Sequence, residues 1–465
     1  MPKNIFQKIR GIVAAPRNIY RIAVLGIVLL AAALRISAYG DPKLSIAGND
    51  TQSYVEASRA PLFSPEIMTG RRLLTTNLVY KIFEPKEGYQ ILVNGSIETT
   101  RRAIQPGFDR IAVFQLIVSI IGWGALAFMI AEFLKNPLMK ILGSVLVLLF
   151  AFTPQMADWD SILMSESLTF SLFALQLALA IKMVFSLYRD PNANIKSWFI
   201  AWLIVFFFWV FLRDSNLSAS IATIFVMAGV LFTSKYRKNR CLYGGVAFLI
   251  AIVILGAVTS AGSIRSQVQI TNIYKDDIFP SPGLVSIFTD FGMPPPNSTE
   301  YQAWFKDNGS KTLFRFMLAH PGYAVTKIMR DFPEAFTEIK QTYFKAPELR
   351  AREYLMRIGD AIHAERTTPF LLSGFLLIGI VYLAALNTIS DSRPWAWLAA
   401  WLFLTAGITM IPTILGDTWA LNRHALFSTM IYRLCIWLFP VIILDMAAGH
   451  VPPTKSIQPT DHEIH

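Results

Sequence analysis

The sequence predicts an all-α polytopic membrane protein with about ten transmembrane helices and two long, partly helical loops outside the cytoplasm. Three observations predict it. Of 465 residues, 54% are hydrophobic and 16% charged, where a soluble chain carries about 25% charge; the mean hydropathy is +0.46. Apolar runs of roughly 15 to 25 residues recur, near the length a helix needs to cross hydrocarbon with its own backbone satisfied. Most of the net charge of +11 lies in alternate short loops: Lys3, Lys8, Arg10, Arg17 and Arg21, then Lys135 and Lys140, then Lys182, Arg189 and Lys196, then Lys235, Arg237, Lys238 and Arg240. The intervening short loops hold little beyond Arg213 and Arg423. That asymmetry is the positive-inside signature, so the charge reports topology and no nucleic-acid partner is expected.

Residues 1–19 read as a basic cytoplasmic tail and 20–38 as the first span. A secretory leader is the competing reading of that basic flank, but no small-x-small site follows and Arg35 interrupts the run. Residues 39–110 form the first outer loop, with helical patterning at 51–59 and 73–83. Spans two to seven fill 111–261, at 111–133, 138–153, 162–188, 198–212, 217–232 and 242–261. The pair 198–212 and 217–232 covers only about 22 to 24 Å each, less than the ~30 Å core. Short segments of this kind predict a polar cavity let into the bilayer.

The second outer loop, 262–368, opens with turns marked by Pro294-Pro295-Pro296. It then turns helical through 313–318, 324–329 and 346–364, with a break at His320-Pro321-Gly322. Spans at 369–386, 395–414 and 425–446 lead to a cytoplasmic tail, 447–465. Ten spans place both termini in the cytoplasm, and the compact layout suits a bacterial inner membrane. Cys241 and Cys435 lie on different segments, so no disulfide is expected. There is no Walker-type phosphate loop, which disfavours an ATP-driven pump, and no repeated half of the sort transporters carry. Sequons stand at Asn94, Asn297 and Asn308.

The residues that could carry chemistry converge on the outer side. Asp50 follows the first span within Gly48-Asn49-Asp50-Thr51-Gln52-Ser53-Tyr54; its structural role would be to cap the helix at 51–59, and the two roles can coexist. Asp158 and Asp160 lie two apart before span four. If extended, they could share a divalent cation such as Mg or Mn; otherwise they are a solvated loop with one capping acid. Glu166 stands in an apolar helix, where an ionisable group faces a cavity or a partner.

Arg213, Arg423 and His424 sit at outer turns. Arginine forks hold phosphate oxygens bidentately. For Arg35, Arg71 and Arg72, snorkelling or headgroup contact is the better reading. Arg433 falls near the middle of the last span and needs an acid such as Glu166 or a bound anion. His320 lies near the same side, His363 reads as surface, and no His or Cys spacing suggests zinc.

At these residues the sequence resembles the GT-C superfamily, the polytopic glycosyltransferases that include protein O-mannosyltransferases and lipid A aminoarabinose transferases. The resemblance covers the architecture of one helix, an outer loop with an early acid, then a bundle. Locally it rests on Asn49-Asp50-Thr51-Gln52-Ser53-Tyr54, Leu163-Met164-Ser165-Glu166-Ser167-Leu168, Leu212-Arg213-Asp214-Ser215-Asn216 and Ala319-His320-Pro321-Gly322-Tyr323. Many relatives carry adjacent acids in the first loop, whereas Asp50 is flanked by Asn49 and Thr51. The resemblance implies transfer of a sugar, with inversion, from a polyprenyl-phosphate donor to a lipid, glycan or protein acceptor.

Asp50 would be the general base, with Arg213, Arg423 and Arg433 on the leaving phosphate. Glu166, Tyr54, His424 and His320 would orient the sugar or acceptor, and Asp158 and Asp160 would help orient it or hold a divalent ion. The alternatives are an O-antigen polymerase or ligase, which would not need the early acid, and a secondary transporter or lipid flippase.

Overall fold

The computed structural model describes residues 16–92, 104–261, 263, 265, 267–337, 339–386 and 391–448. Both predicted tails, apart from a few residues adjoining the spans, and the Asn94 sequon lie outside these. Every apolar segment predicted as a span is a helix. They are α1 (Pro16–Ser37), α4 (Asp109–Phe133), α5 (Pro137–Phe152), α6 (Glu166–Arg189), α7 (Lys196–Val210), α8 (Asp214–Leu231) and α9 (Arg240–Ala261). The last three are α15 (Thr368–Ala385), α16 (Ser392–Gly416) and α17 (Leu426–Ala448).

Among the described residues eight of these are long and apolar enough to cross a membrane alone. α5 passes that test only together with the turns that follow it, across a 52° bend at Thr153-Pro154, and α7 has 15 residues. Proline has no N–H to extend the ladder and restricts the residue before it, so the chain breaks there. The count of ten spans therefore rests on a broken helix and a short one.

The first outer loop holds α2 (Thr51–Ser58) and α3 (Leu74–Ile82), where helical patterning was predicted. The second holds α10 (Gln267–Ile273), α11 (Pro282–Asp290), α12 (Thr299–Ala319), α13 (Pro321–Asp331) and α14 (Arg350–Ile362). α10 and α11 fall where turns were expected. Pro282 stands at the first position of α11 and Ser281 accepts from Leu284 N, so this proline starts a helix rather than ending one.

α6 and α17 are the most enclosed spans and α1 the least, so α6 and α17 form the centre and α1 faces lipid. Lipid is as apolar as the side chains, so close packing rather than water release holds such helices together. Gly122 lets α4 run against α6: a Cβ there would collide with the Ser171 carbonyl. Phe173 of α6 touches Trp209, Trp401 and Phe427 at ring-centroid distances of 5.6, 5.7 and 5.0 Å, joining four helices. At the far end of α6, Arg189 pairs with Asp391 at 3.1 Å, and Asp445 accepts from the backbone N–H groups of Lys135 and Asn136. These basic ends lie on the face opposite the N-terminus of α6.

Candidate active site

The chain around Asp50 is fixed by the strand-like segment that precedes α6. Ile46 N donates to Ser161 O at 2.7 Å, and Leu163 N donates back to Ile46 O at 2.9 Å. Thr51 Oγ1 accepts from Gly48 N and donates to Leu163 O. Gly48 can sit there because it has no Cβ, which would run into Met164 Sδ. This clamp carries Asp50 to the N-terminus of α6, where Glu166 begins the helix.

Asp50 stands at the N-cap of α2, yet its side chain caps nothing. Its backbone carbonyl accepts from Ser53 and Tyr54, leaving both carboxylate oxygens for arginines. Arg72 Nη2 donates to Oδ1 at 2.6 Å and Arg423 Nη2 to Oδ2 at 3.2 Å. Capping alone is therefore not its role. Arg72 is no headgroup contact either: it also donates to Ser53 Oγ at 2.6 Å and lies 4.4 Å over the Tyr54 ring. Burial pushes the Asp50 carboxyl up, but Arg72 and Arg423 outweigh it and hold the group below the usual carboxylate range.

Arg423 is the hub. Nη1 donates to Tyr343 Oη, and Nη2 also donates to His424 Nε2 at 3.1 Å. A guanidinium only donates, so that ring nitrogen carries no proton. The other ring nitrogen, Nδ1, stands 2.8 Å from Asp417 Oδ2. Burial raises the Asp417 carboxyl, but His424, Asn272 and the Trp419 N–H together hold it low.

Glu166 is buried and pairs with Arg213 at 3.5 Å. Three buried polar atoms of the site, Glu166 Oε2, Arg423 Nε and Asp417 Oδ2, have no hydrogen-bond partner among the described residues. An acceptor and a donor left open beside a base suit a hydroxyl-bearing, anionic ligand. Tyr54 reaches Ser165 Oγ at 3.5 Å. The structure thus brings together Asp50, Tyr54, Glu166, Arg213, Arg423 and His424 from the predicted set. It adds Arg72, Tyr343 and Asp417, which sequence reasoning passed over.

The rest of the predicted set lies elsewhere. Arg433 is fully buried and donates to Ala364 O, Thr429 Oγ1 and Phe336 O. Carbonyls of the second loop meet its charge, and the acid that acts on it is Glu365 rather than Glu166. His320 is exposed at the end of α12, with its ring against Phe316. Asp158 pairs with Arg352, and Asp160 with Arg35 at 3.2 Å while accepting from Ser167. Two acids turned to separate arginines do not form a cation site, and no group of three His, Cys, Asp or Glu among the described residues could hold a metal.

Arg35 is buried under this pairing, 4.0 Å from the Tyr39 ring, rather than snorkelling, whereas Arg71 is exposed. His363 is likewise buried, donating from Nε2 to Phe150 O at 3.1 Å.

No family model matches the chain, and no curated protein matches it. Solved structures of the archaeal oligosaccharyltransferase AglB from Archaeoglobus fulgidus do, at a low level. The complex with an inhibitory peptide and a dolichol-phosphate matches at 13% identity and a TM-score of 0.43, covering 91% of this chain and 50% of that one. The apo form matches at 12% and 0.43, and the form tethered to an acceptor peptide at 12% and 0.42, with the same coverage. The chain spans about half the length of these structures.

Proposed function

We propose that the chain is an inverting membrane glycosyltransferase that moves a sugar from a polyprenyl-phosphate donor to an acceptor hydroxyl of a lipid, glycan or protein outside the cytoplasm. One observation carries this reading: a carboxylate shared by two arginines, one of which also keeps a buried N–H open.

Asp50 paired with Arg423 is a weak base, and that is the resting state. A phosphate entering beside Arg423 competes for its guanidinium, which binds phosphate at least as well as carboxylate. As Arg423 turns to the phosphate, Asp50 loses a counter-charge and gains basicity. It then takes the proton of the acceptor while the acceptor atom bonds to C1 of the sugar. The bond between C1 and the phosphate oxygen breaks, its electron pair leaving with the phosphate. Arg423 and Arg213 stabilise that growing charge, and Glu166 Oε2 accepts from a sugar hydroxyl. Tyr54 and His424 hold the two arginine-bearing walls in place. Asp158 and Asp160 are turned to Arg352 and Arg35, so no step is routed through a divalent cation. By the positive-inside rule the face bearing Arg189 and Lys235 is cytoplasmic, which sets Asp50 outside.

The test is Asp50→Asn in the full chain reconstituted in liposomes with polyprenyl-phosphate sugars. Release of polyprenyl phosphate with glycosylated acceptor should fall at least a thousandfold. Transfer at the parental rate would remove Asp50 from the mechanism.

A further inference from the structure

The bend that carries Arg423 is strained. α16 ends at Gly416, and the short turn Leu421–His424 bears Arg423. Between them Ala420 takes φ +49 and ψ +41, a left-handed backbone that a residue with a Cβ seldom adopts. His424 N donates to Ala420 O at 3.0 Å, so this one residue sets the direction in which the turn leaves. Backbone in such a region persists where its surroundings over-determine it.

Those surroundings come from the second outer loop. Asp417 Oδ1 accepts from Thr418 N and Trp419 N at 2.8 and 3.0 Å, which folds the bend on itself. The same oxygen accepts from Asn272 Nδ2 of α10 at 3.0 Å. Thr418 Oγ1 donates to Asp276 Oδ2 at 2.8 Å. Asp276 lies in a single π-helical turn, Tyr274–Ile278, closed by Phe279 N on Tyr274 O at 2.8 Å. Such a turn adds one residue to the helical register and recurs at functional sites. Here two adjacent acids divide their work. Asp276 meets the bend, while Asp277 meets α13, with Lys327 at 3.1 Å and Arg330 at 2.8 Å. Tyr274 is fully buried and donates to Gly309 O of α12 at 2.9 Å, so the turn is anchored among the helices of its own loop.

We infer that Asn272 and Asp276 are positioning residues: from the second outer loop they clasp the bend at 417–420 and so hold Arg423 against Asp50. The inference rests on the reading of Arg423 as the group that the donor phosphate and the base share. Asn272 is half-buried and Asp276 exposed, so Asn272 carries the larger share.

Variants of the full chain in liposomes are compared by kcat/KM for polyprenyl-phosphate release. Asn272→Ala should lower it about 3- to 10-fold, the range of one hydrogen bond. It should cost nothing further in the Arg423→Gln background, because the guanidinium it places is gone. Thr418→Val should lose a smaller factor with the same dependence, and it decides if Asn272→Ala does not fold. Ala420→Gly takes the left-handed bend without strain and should restore most of what Asn272→Ala loses. Equal losses in both backgrounds would mean that the contacts only stabilise the fold, and would overturn the inference. A parental rate for Asn272→Ala, or no recovery with Ala420→Gly, would overturn it too. A parental rate for Arg423→Gln would instead sink the reading beneath it, and the inference with it.

Discussion

Replacing Arg423 with glutamine removes one of the two charges that hold Asp50 ionised. At 3.2 Å two unit charges attract by about 5 kcal/mol at an effective dielectric of ~20. Asp50 keeps 28% and Arg423 19% of its side-chain exposure, so solvent screens part of this. The net falls to that of a charge-assisted hydrogen bond, about 1.5 to 3 kcal/mol. Arg423→Gln therefore raises the Asp50 carboxyl, with Arg72 still in place to hold part of the depression.

The sign is fixed by direction: the parental carboxyl sits below its usual value, so it is ionised throughout the working range and loses its charge only in strong acid. The assay is kcat/KM for polyprenyl-phosphate release between pH 4 and 8. The parent should show no acid limb near pH 5, whereas the variant should decline there. At pH 7 the variant should also be slower by about 10² to 10³, the cost of one donor to a developing anion. A variant whose acid limb coincides with the parent's refutes the pairing of Arg423 with the base.

Three further outcomes follow from the geometry. Chelation with EDTA should change the transfer rate by less than twofold, because Asp158 and Asp160 are engaged by arginines; loss restored by Mg²⁺ would contradict this. Asp417→Asn should weaken polyprenyl-phosphate affinity about tenfold, since Asp417 lies 2.8 Å from the ring of His424, against which Arg423 leans. An unchanged affinity would show that His424 does not position Arg423. His363, buried beside Phe150 and Arg433, has its pKa lowered from 6.5 to about 3, so the unfolded chain takes up a proton that the folded one refuses. Stability present above pH 6.5 is then lost as pH falls, by about 2 kcal/mol at pH 5. Thermal unfolding of His363→Gln should lack that slope, and a parallel slope would count against it.

Spans were legible because the signal for a membrane helix is local. Run length and hydropathy placed all ten helices within a few residues of their observed ends, down to the shortness of α7. The turn at Thr153-Pro154 was less visible, since a bend needs a direction that hydropathy does not carry. Asp50, Glu166, Arg213 and Arg423 stood out as charges at the ends of apolar runs, where burial makes a charge costly. Arg72 did not, because an arginine in a polar loop looks like a headgroup contact until its partner, 22 residues away, is placed. Tyr343 and Asp417 gave no signal at all: both lie in loop sequence and matter only through Arg423. Arg433 misled for the opposite reason. Its depth implied an acid such as Glu166 or an anion, whereas loop carbonyls and Glu365 meet it, and backbone groups leave no trace in a sequence.

In the proposed mechanism Asp50 and the donor phosphate compete for Arg423. The affinity of the Asp50→Asn variant for polyprenyl phosphate, measured beside the parent's in the same detergent, tests it most directly. With its competitor neutralised, Arg423 should hold the lipid phosphate several-fold more tightly even though transfer is lost. Weaker binding, or none, would mean that Asp50 and Arg423 serve each other as a structural pair and that the phosphate binds elsewhere.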